Sequence, residues 1–202
     1  MKKILALMMS LCLLAGLTAC SGGTDENPAP SSSATAENAA PETAAENAAV
    51  VYFSATGNTE QVAQTLADKI GADLYEITPE EPYTEADLDY NTDDCRANME
   101  QNDPDARPAI AGDALDLSGY DTIYLGFPIW WGDLPKIIYT FCESQDLSGK
   151  TIAPFCTSGG SGISQAVGTM ESLAPNATIT EGLRTAPESA DGDLDAWLGS
   201  IA

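Results

Sequence analysis

Short β-branched and aromatic segments alternate with helical segments from residue 48 onward, and this alternation constrains the fold more than any other feature. Residues 58–70 show the helical pattern, because Val62, Leu66 and Ile70 recur at helical spacing and Gly71 follows as a stop signal. Strands that alternate with helices form βαβ units, so we expect an α/β fold in which helices cover both faces of a parallel sheet. The predicted strands are residues 48–53, 72–77, 120–127, 150–155 and 177–181, and the predicted helices are residues 58–70, 134–141, 163–173 and 193–201.

The first 20 residues predict export. Two lysines precede a short apolar run, and the sequence Leu-Thr-Ala-Cys at 17–20 has the small residues of a cleavage site. The run is shorter than the ~20 residues that span a bilayer. Residues 17–20 resemble a bacterial lipobox, which implies a signal peptide of residues 1–19 and a lipid on Cys20 that anchors the exported chain to the cell membrane, on its extracytoplasmic side. A simple secretory signal is the alternative.

Residues 20–47 predict a flexible tether. They contain Ser, Ala, Thr, Glu, Asn and Pro but no large apolar side chain, so they cannot bury enough surface to offset the entropy of ordering. We therefore expect the folded domain to occupy residues 48–202.

The chain is strongly acidic. Six Lys and Arg side chains and 31 Asp and Glu side chains follow Cys20, which gives that part a net charge of −25. Such a surface repels nucleic acid and is compatible with a partner protein that has a basic docking surface.

The sequence contains no histidine, which excludes a Ser-His-Asp triad and a Cys–His nucleophile. Without histidine or a Cys-x-x-Cys motif, we expect no zinc site. Cys95, Cys142 and Cys156 either contribute one disulfide or lie in the core.

Residues 78–118 interrupt the alternation. Four prolines, at positions 79, 82, 104 and 108, exclude one continuous helix, although residues 84–100 are compatible with a helix capped by Thr84. An excursion of this length in a compact α/β domain is often a lid or a binding element.

The segment that follows the first strand has the composition of an anion-binding loop. Residues 54–59, Ser-Ala-Thr-Gly-Asn-Thr, supply three hydroxyls, an amide and a glycine at the start of a helix, whose free N–H groups attract anions. No Lys or Arg lies in this segment, so neutral donors would hold the anion. The loop lacks the Gly-Lys-Ser/Thr of a Walker loop, and helix capping without a ligand is the alternative.

Two further loops belong to the same edge of the predicted sheet, because ligands of parallel sheets bind outside the carboxyl ends of the strands. Residues 128–133, Pro-Ile-Trp-Trp-Gly-Asp, place two indoles in a turn, where an exposed one offers a flat face to a planar ring. We expect at least one of these tryptophans to be in the core. Residues 157–162, Thr-Ser-Gly-Gly-Ser-Gly, permit close approach of the backbone to a ligand, or form an ordinary flexible loop.

Together the loops resemble those of the flavodoxin family: residues 54–59 resemble its phosphate loop, and Trp131-Gly132-Asp133 resembles one of its ring-binding loops. The resemblance implies a doubly wound five-stranded sheet of order 2-1-3-4-5 and non-covalent FMN. In this family a peptide of the first ring loop can turn its carbonyl toward the flavin N5–H after one-electron reduction, and Gly132 matches that position. The implied FMN-binding residues are Ser54, Thr56, Gly57, Asn58 and Thr59 at the phosphate, and Pro128, Ile129, Trp130, Trp131, Gly132, Thr157, Ser158, Gly159, Gly160 and Gly162 at the ring.

Two features depart from a minimal flavodoxin. Residues 157–162 have no aromatic side chain, which is more similar to flavodoxin-type quinone reductases. The insertion at 78–118 carries Tyr83, Tyr90, Arg96 and Arg107. One hypothesis is that it covers the flavin and offers Arg96 or Tyr83 to a substrate, and the alternative is that these are acid-paired surface residues.

Three functions follow from these expectations. The first is a membrane-tethered, extracytoplasmic FMN protein that carries electrons to a partner, with a low potential because the acidic surface disfavours the anionic reduced flavin. The second is an FMN-dependent reductase of quinones or other small acceptors. The third is a non-redox binding module on the same fold.

Overall fold

The computed structural model describes residues 47–201. The predicted signal peptide, the lipidation site Cys20 and all but the last residue of the predicted tether lie outside the described residues. Within residues 47–201 none of the helices is long and apolar enough to cross a bilayer. The elements are β1 (Ala48–Tyr52), α1 (Asn58–Ile70), β2 (Asp73–Glu76), α2 (Arg96–Asn102), β3 (Thr122–Pro128), α3 (Lys136–Ser144), β4 (Thr151–Thr157), α4 (Ser164–Leu173), β5 (Thr178–Ile179), β6 (Leu183–Thr185) and α5 (Ala190–Ile201).

The strands form one parallel sheet in the order β2-β1-β3-β4-β5, which confirms the predicted order. The predicted fifth strand, residues 177–181, is wrong in extent, because β5 covers only Thr178–Ile179 and a sixth strand, β6, follows beyond the predicted range; both pair with β4. The break between β5 and β6 includes Gly182, where a Cβ atom would lie only 2.9 Å from Ile163 and 3.0 Å from Val167. Gly182 therefore lets the chain pass close to the start of α4 between the two paired segments.

Helices cover both faces of the sheet and enclose two apolar cores. One core joins Val51, Phe53 and Leu125 to side chains of α3 and α4, and the other joins Val50 and Tyr124 to side chains of α1 and α5. Every residue of β1 is buried, which accounts for its unbroken apolar sequence, because a central parallel strand meets helices on both sides.

The segment between β2 and β3, here called the insertion, contains only the short helix α2, so a helix does occur within residues 84–100, but it begins at Arg96 and the start at Thr84 is wrong. Thr84 and Asp87 do exchange bonds of the capping type, since the amide of Asp87 donates to Thr84 Oγ1 at 3.2 Å and the amide of Thr84 donates to the Asp87 carboxylate at 2.8 Å, but residues 85–88 form only turns. Further along, Asp89 accepts from the amide of Asn91 and the hydroxyl of Thr92. Such local side-chain bonds offer the backbone an alternative to helix, and α2 begins only after them.

The three cysteines of the described part, Cys95, Cys142 and Cys156, are buried and unpaired, which confirms the core alternative. Burial raises the pKa of the Cys142 and Cys156 thiols to about 12.

Candidate functional site

The three loops predicted to share one edge of the sheet are joined there by Thr157. Its hydroxyl lies 2.8 Å from the hydroxyl of Thr59 in the first loop. Its carbonyl accepts the amide of Ile129 in the second loop at 2.9 Å, and Thr157 itself begins the third loop. One residue at the end of β4 therefore fixes the relative positions of all three segments.

The first loop, residues 54–59 (the phosphate loop), ends in a helix start without a side-chain cap. Gly57 occupies the cap position of α1 with a φ of +83°, a conformation that glycine adopts without strain. The main-chain helical bonds begin with the amide of Gln61, which donates to Gly57 at 3.1 Å. The earlier amides of this turn therefore point out of the helix without helical partners, and an anion fits this position.

The polar side chains of the phosphate loop differ in exposure. Thr56 and Asn58 are exposed and bonded to each other, from Asn58 Nδ2 to Thr56 Oγ1 at 3.2 Å. The half-buried Ser54 accepts the amide of Gly57 at 3.1 Å, which leaves its hydroxyl proton for another partner. Thr59 is buried, and its hydroxyl bonds to that of Thr157 at the sheet edge.

The second loop, residues 128–133 (the ring loop), is a tight turn closed by two hydrogen bonds between Trp130 and Asp133. Each amide donates to the other residue's carbonyl at 3.0 Å. The two central residues, Trp131 and Gly132, both have positive φ, at +50° and +82°. Positive φ at both central positions is the pattern of a type I′ turn, and it is unfavourable for a tryptophan.

The two tryptophans of the ring loop have different environments. Trp130 is only 3% exposed and packs edge-on against Phe53, with ring centroids 5.6 Å apart, so it belongs to the core as expected for one of the pair. Trp131 is 46% exposed and packs edge-on against Tyr90. Of the two candidate indoles, Trp131 is therefore the one that offers a face to a planar ring, while half-buried Pro128 and Ile129 lead into the turn.

The carboxylate of Asp133 fastens the ring loop to α4. One carboxylate oxygen accepts from the hydroxyl of Thr169 at 2.9 Å and from the side-chain amide of Gln165 at 3.3 Å. The other oxygen accepts from the backbone amide of Leu134 at 2.8 Å. A Cβ atom on Gly132 would lie 3.9 Å from Gln165, so the turn and the first residues of α4 are close neighbours.

The third loop, residues 157–162 (the glycine loop), is exposed beyond Ser158. A Cβ atom on Gly159, Gly160 or Gly162 would meet nothing within 4 Å, so no neighbour in the described part requires these glycines. They leave open space along the backbone, which a flat ligand can occupy. The loop is held by the amide of Gly160, which donates to Ser158 Oγ at 3.1 Å.

Arg184 is a cation at this edge that the sequence did not indicate. It is exposed on β6, and its guanidinium donates to the carbonyl of Ser158 at 3.2 Å. Arg184 is 26 positions from Ser158 in the sequence, and the register Cys156↔Arg184 between β4 and β6 brings the two residues together. Arg184 has no local motif, and only the pairing of the unpredicted strand β6 would have revealed it.

In the insertion, Arg96 and Tyr83 both contact the carboxylate of Glu100. Arg96 Nε lies 2.6 Å from Glu100, and the Tyr83 hydroxyl donates to the same carboxylate. Burial and this carboxylate raise the pKa of Tyr83. Arg107 pairs with Glu143 at 2.7 Å. The alternative of acid-paired residues is therefore confirmed for both arginines, and the hypothesis of a substrate-facing Arg96 or Tyr83 finds no support.

A separate cleft of about 240 Å³ lies between the end of β2, the insertion and α3. Its lining includes Ile77, Gly112, Leu115, Phe141 and Gln145, and it includes no residue of the three loops. Nor do residues 47–201 contain a group of His, Cys, Asp and Glu side chains arranged to hold a metal ion.

Fold and loops together define a doubly wound α/β protein whose sheet edge combines an anion-accepting helix start, an exposed indole and a glycine loop. A family model described as flavodoxin matches residues 47–201, and the chain belongs to the flavodoxin family. No curated protein matches the chain significantly.

Solved structures similar to this chain support the assignment. A candidate flavoprotein from Bacteroides eggerthii DSM 20697 is 43% identical with a TM-score of 0.70, over 77% of this chain and 97% of that one. A second, from Bacteroides uniformis ATCC 8492, is 39% identical with a TM-score of 0.70, over 75% of this chain and 99% of that one. A flavoprotein in complex with FMN from Lactobacillus acidophilus NCFM is 26% identical with a TM-score of 0.61, over 76% of this chain and 99% of that one.

Proposed function

We propose that this protein binds FMN non-covalently and carries electrons outside the cytoplasm while tethered to the membrane. The observation that carries the FMN part is the uncapped start of α1 at Gly57, which Thr59 and Thr157 fasten to the loop that exposes Trp131. An anion site and a flat apolar face at one sheet edge fit a planar ring with a phosphate tail. The similar Lactobacillus acidophilus flavoprotein, solved in complex with FMN, supports the same ligand.

The residues present fit that cofactor. The amides after Gly57 and the hydroxyls of Ser54 and Thr56 would hold the phosphate, and they would do so without a lysine or arginine in the loop. Trp131 would cover one face of the ring, and the ring loop and the glycine loop would flank it. FMN, when bound, supplies one- and two-electron redox chemistry, while the chain binds it, orients it and limits its contact with water.

Electron carriage is favoured over catalysis by the predicted location. A chain exported through the signal of residues 1–19 and lipidated at Cys20 would be separated from cytoplasmic nicotinamide cofactors. Its net charge of −25 after Cys20 would steer a redox partner with a basic surface toward it. The reductase of quinones or other small acceptors remains the second candidate, favoured by the glycine loop without an aromatic side chain.

An absorption spectrum tests the cofactor directly. The purified protein is mixed with FMN and desalted, and we expect a retained flavin spectrum; a colourless protein would contradict the proposal. Trp131→Ala should weaken FMN binding, whereas Trp131→Phe keeps an aromatic face and should retain most of the affinity. Unchanged affinity in Trp131→Ala would contradict the placement of the ring.

Enzyme assays and mass spectrometry test the two remaining parts of the proposal, electron carriage and the lipid anchor. A carrier should exchange electrons with FMN bound and show no steady turnover of NAD(P)H with quinones, while sustained turnover would favour the reductase. Mass spectrometry of protein from membranes should find a diacylglyceryl modification on Cys20 and no residues 1–19. An unmodified chain in the medium would contradict the lipid anchor.

A further inference from the structure

Three side chains of the insertion contact the ring loop and the residue that follows it. Gln101 Nε2 donates to the carbonyl of Trp130 at 3.0 Å and to the carbonyl of Leu134 at 3.2 Å, at the two ends of the turn. Tyr83 packs edge-on against Trp130, with ring centroids 5.1 Å apart. Tyr90 packs edge-on against Trp131 at 5.0 Å.

The turn needs such support because its backbone is strained. Among the described residues, Trp131 is the one non-glycine residue with positive φ. Strained residues persist only where the surrounding structure over-determines them, and they cluster at ligand-binding sites. Here the surrounding structure includes the insertion, which a minimal α/β sheet of this order does not need.

The orientation of Gln101 supports a dedicated role. Both of its partners are carbonyl oxygens, which only accept, so the amide nitrogen must face the ring loop. The same orientation leaves Oε1 of Gln101 buried without a hydrogen-bond partner. A buried unpartnered acceptor is unfavourable, so the bonds to the ring loop are kept at a cost to the fold.

Tyr90 adds an aromatic surface beside Trp131. The two side chains are 55% and 46% exposed, although they touch each other. Asn98 holds the turn that carries Tyr90, because its amide donates to the carbonyl of Thr92 at 2.7 Å. The insertion thus presents an aromatic ring beside the indole, perpendicular to it, whereas the glycine loop has none.

We propose that the insertion is part of the cofactor site, with Gln101 as a positioning residue that holds the ring loop and Tyr90 as a second aromatic contact for a planar heteroaromatic ring beside Trp131. This proposal rests on the proposed binding of FMN. Residues 83–101 would then help to form the cofactor site, rather than being an exposed lid or an addition to the surface.

The test compares three variants of the purified protein. Gln101→Met keeps the side-chain length and removes both donors together with the unpartnered acceptor, so it should fold. Tyr90→Ala removes a side chain from an exposed turn, and Tyr90→Phe is its conservative rescue. Met99→Ala is the matched control, because Met99 is 54% exposed on the same helix as Gln101. Circular dichroism verifies folding of each.

The measurement is the Kd for oxidised and for reduced FMN. Gln101→Met and Tyr90→Ala should each raise the Kd for oxidised FMN about tenfold. Gln101→Met should also change the ratio of the two Kd values, because a loosened ring loop alters the contacts of the two redox forms unequally. Tyr90→Phe keeps the aromatic ring and should restore most of the affinity lost in Tyr90→Ala, whereas Met99→Ala should leave both quantities unchanged. Unchanged Kd values and ratio in Gln101→Met and Tyr90→Ala would overturn the proposal.

Failure of the proposed function is distinguishable from failure of this inference. If the unmodified protein binds no FMN, the cofactor assignment is wrong. The hold of Gln101 on the ring loop, here called the clamp, is then tested without ligand. Acrylamide, which is neutral, quenches chiefly the exposed Trp131, since Trp130 and Trp197 are buried. Greater quenching in Gln101→Met than in Met99→Ala would support the clamp, and equal quenching would overturn it.

Discussion

The hydroxyl oxygens of Thr59 and Thr157 lie 2.8 Å apart at the buried junction between the start of α1 and the end of β4. Thr59 belongs to the phosphate loop and Thr157 to the glycine loop, so this one hydrogen bond links the two ends of the proposed cofactor site. Both side chains are buried, at 1% and 8% exposure, and water does not readily replace either partner.

A double-mutant cycle with valine measures this link. Thr59→Val or Thr157→Val alone should lower the free energy of unfolding by about 1–3 kcal/mol, because each leaves a buried hydroxyl unpaired. The double variant should lose less than the sum of the two, since it leaves neither hydroxyl unpaired. Urea unfolding gives the values, and Thr65→Val, a half-buried position of the same helix whose hydroxyl bonds only to the backbone of Gln61, is the control. Strict additivity would show that the hydroxyls do not interact in solution.

The two glycines that bound α1 allow phosphate binding to be separated from stability. Gly57 and Gly71 both have positive φ, at +83° and +66°, and a Cβ atom would meet no close neighbour at either position. Gly57→Ala and Gly71→Ala should therefore both lower the free energy of unfolding, by about 1 kcal/mol. Only Gly57→Ala should weaken FMN binding, because only Gly57 shapes the phosphate loop. Isothermal titration with FMN makes the comparison, and equal affinities in the two variants would contradict the phosphate assignment.

Helix α1 shows what the sequence predicts well. Its predicted bounds match the observed Asn58–Ile70, because both ends carry a local signal, a glycine before the first turn and another after the last. The three loops were also predictable, since each directly follows a strand and the ends of parallel strands share one edge. Local chemistry and sheet topology together decided these features.

The features that the sequence did not predict depend on contacts between distant segments. β6 follows a break at Gly182, where the chain passes close to Ile163 and Val167 at the start of α4. Arg184 reaches Ser158 only through the register of β6 against β4. Gln101 reaches the ring loop from the insertion, where the composition gave no reason to prefer one side chain over another. Tertiary packing, rather than periodicity, placed each of these residues.

Alkaline pH should destabilise the fold through its buried thiols. In the folded protein the pKa of Cys142 and that of Cys156 are about 12, against an ordinary value near 8.5 in the unfolded chain. Because the folded pKa is raised, this stability is fully present below the unfolded pKa and is lost as pH rises toward the folded one. Between about pH 8.5 and 10 the free energy of unfolding should fall by up to about 1 kcal/mol per pH unit for each thiol.

Urea unfolding at a series of pH values checks this slope. The double variant Cys142→Ala, Cys156→Ala should be less stable at pH 7, because it leaves cavities, but its stability should vary less between pH 8.5 and 10. A slope equal to that of the unmodified protein would mean that these thiols ionise normally in the fold. Above pH 10, Tyr52, whose pKa burial raises to about 12, should add a further decline that the cysteine variant retains.

Arg184 should raise the reduction potential of bound FMN. It lies at the glycine loop, and in the described part of the chain it has no carboxylate within salt-bridge distance, unlike Lys69, Arg96 and Arg107. The cofactor gains negative charge on reduction, so an unneutralised guanidinium at the site edge stabilises the reduced form. Arg184→Gln should therefore shift the midpoint potential by roughly 20–50 mV in the negative direction.

Redox titration of the FMN-loaded protein measures this shift, and Lys69→Gln is the matched control. Lys69 is also a cation, but it lies in the last turn of α1 and pairs with Asp191 and Asp195 at 2.9 and 2.7 Å, so its removal should leave the potential unchanged. The shift in Arg184→Gln should shrink at high salt, because screening weakens an exposed charge. An equal shift in both variants would indicate a general effect of net charge, and a positive shift in Arg184→Gln would exclude Arg184 as a stabiliser of the reduced cofactor.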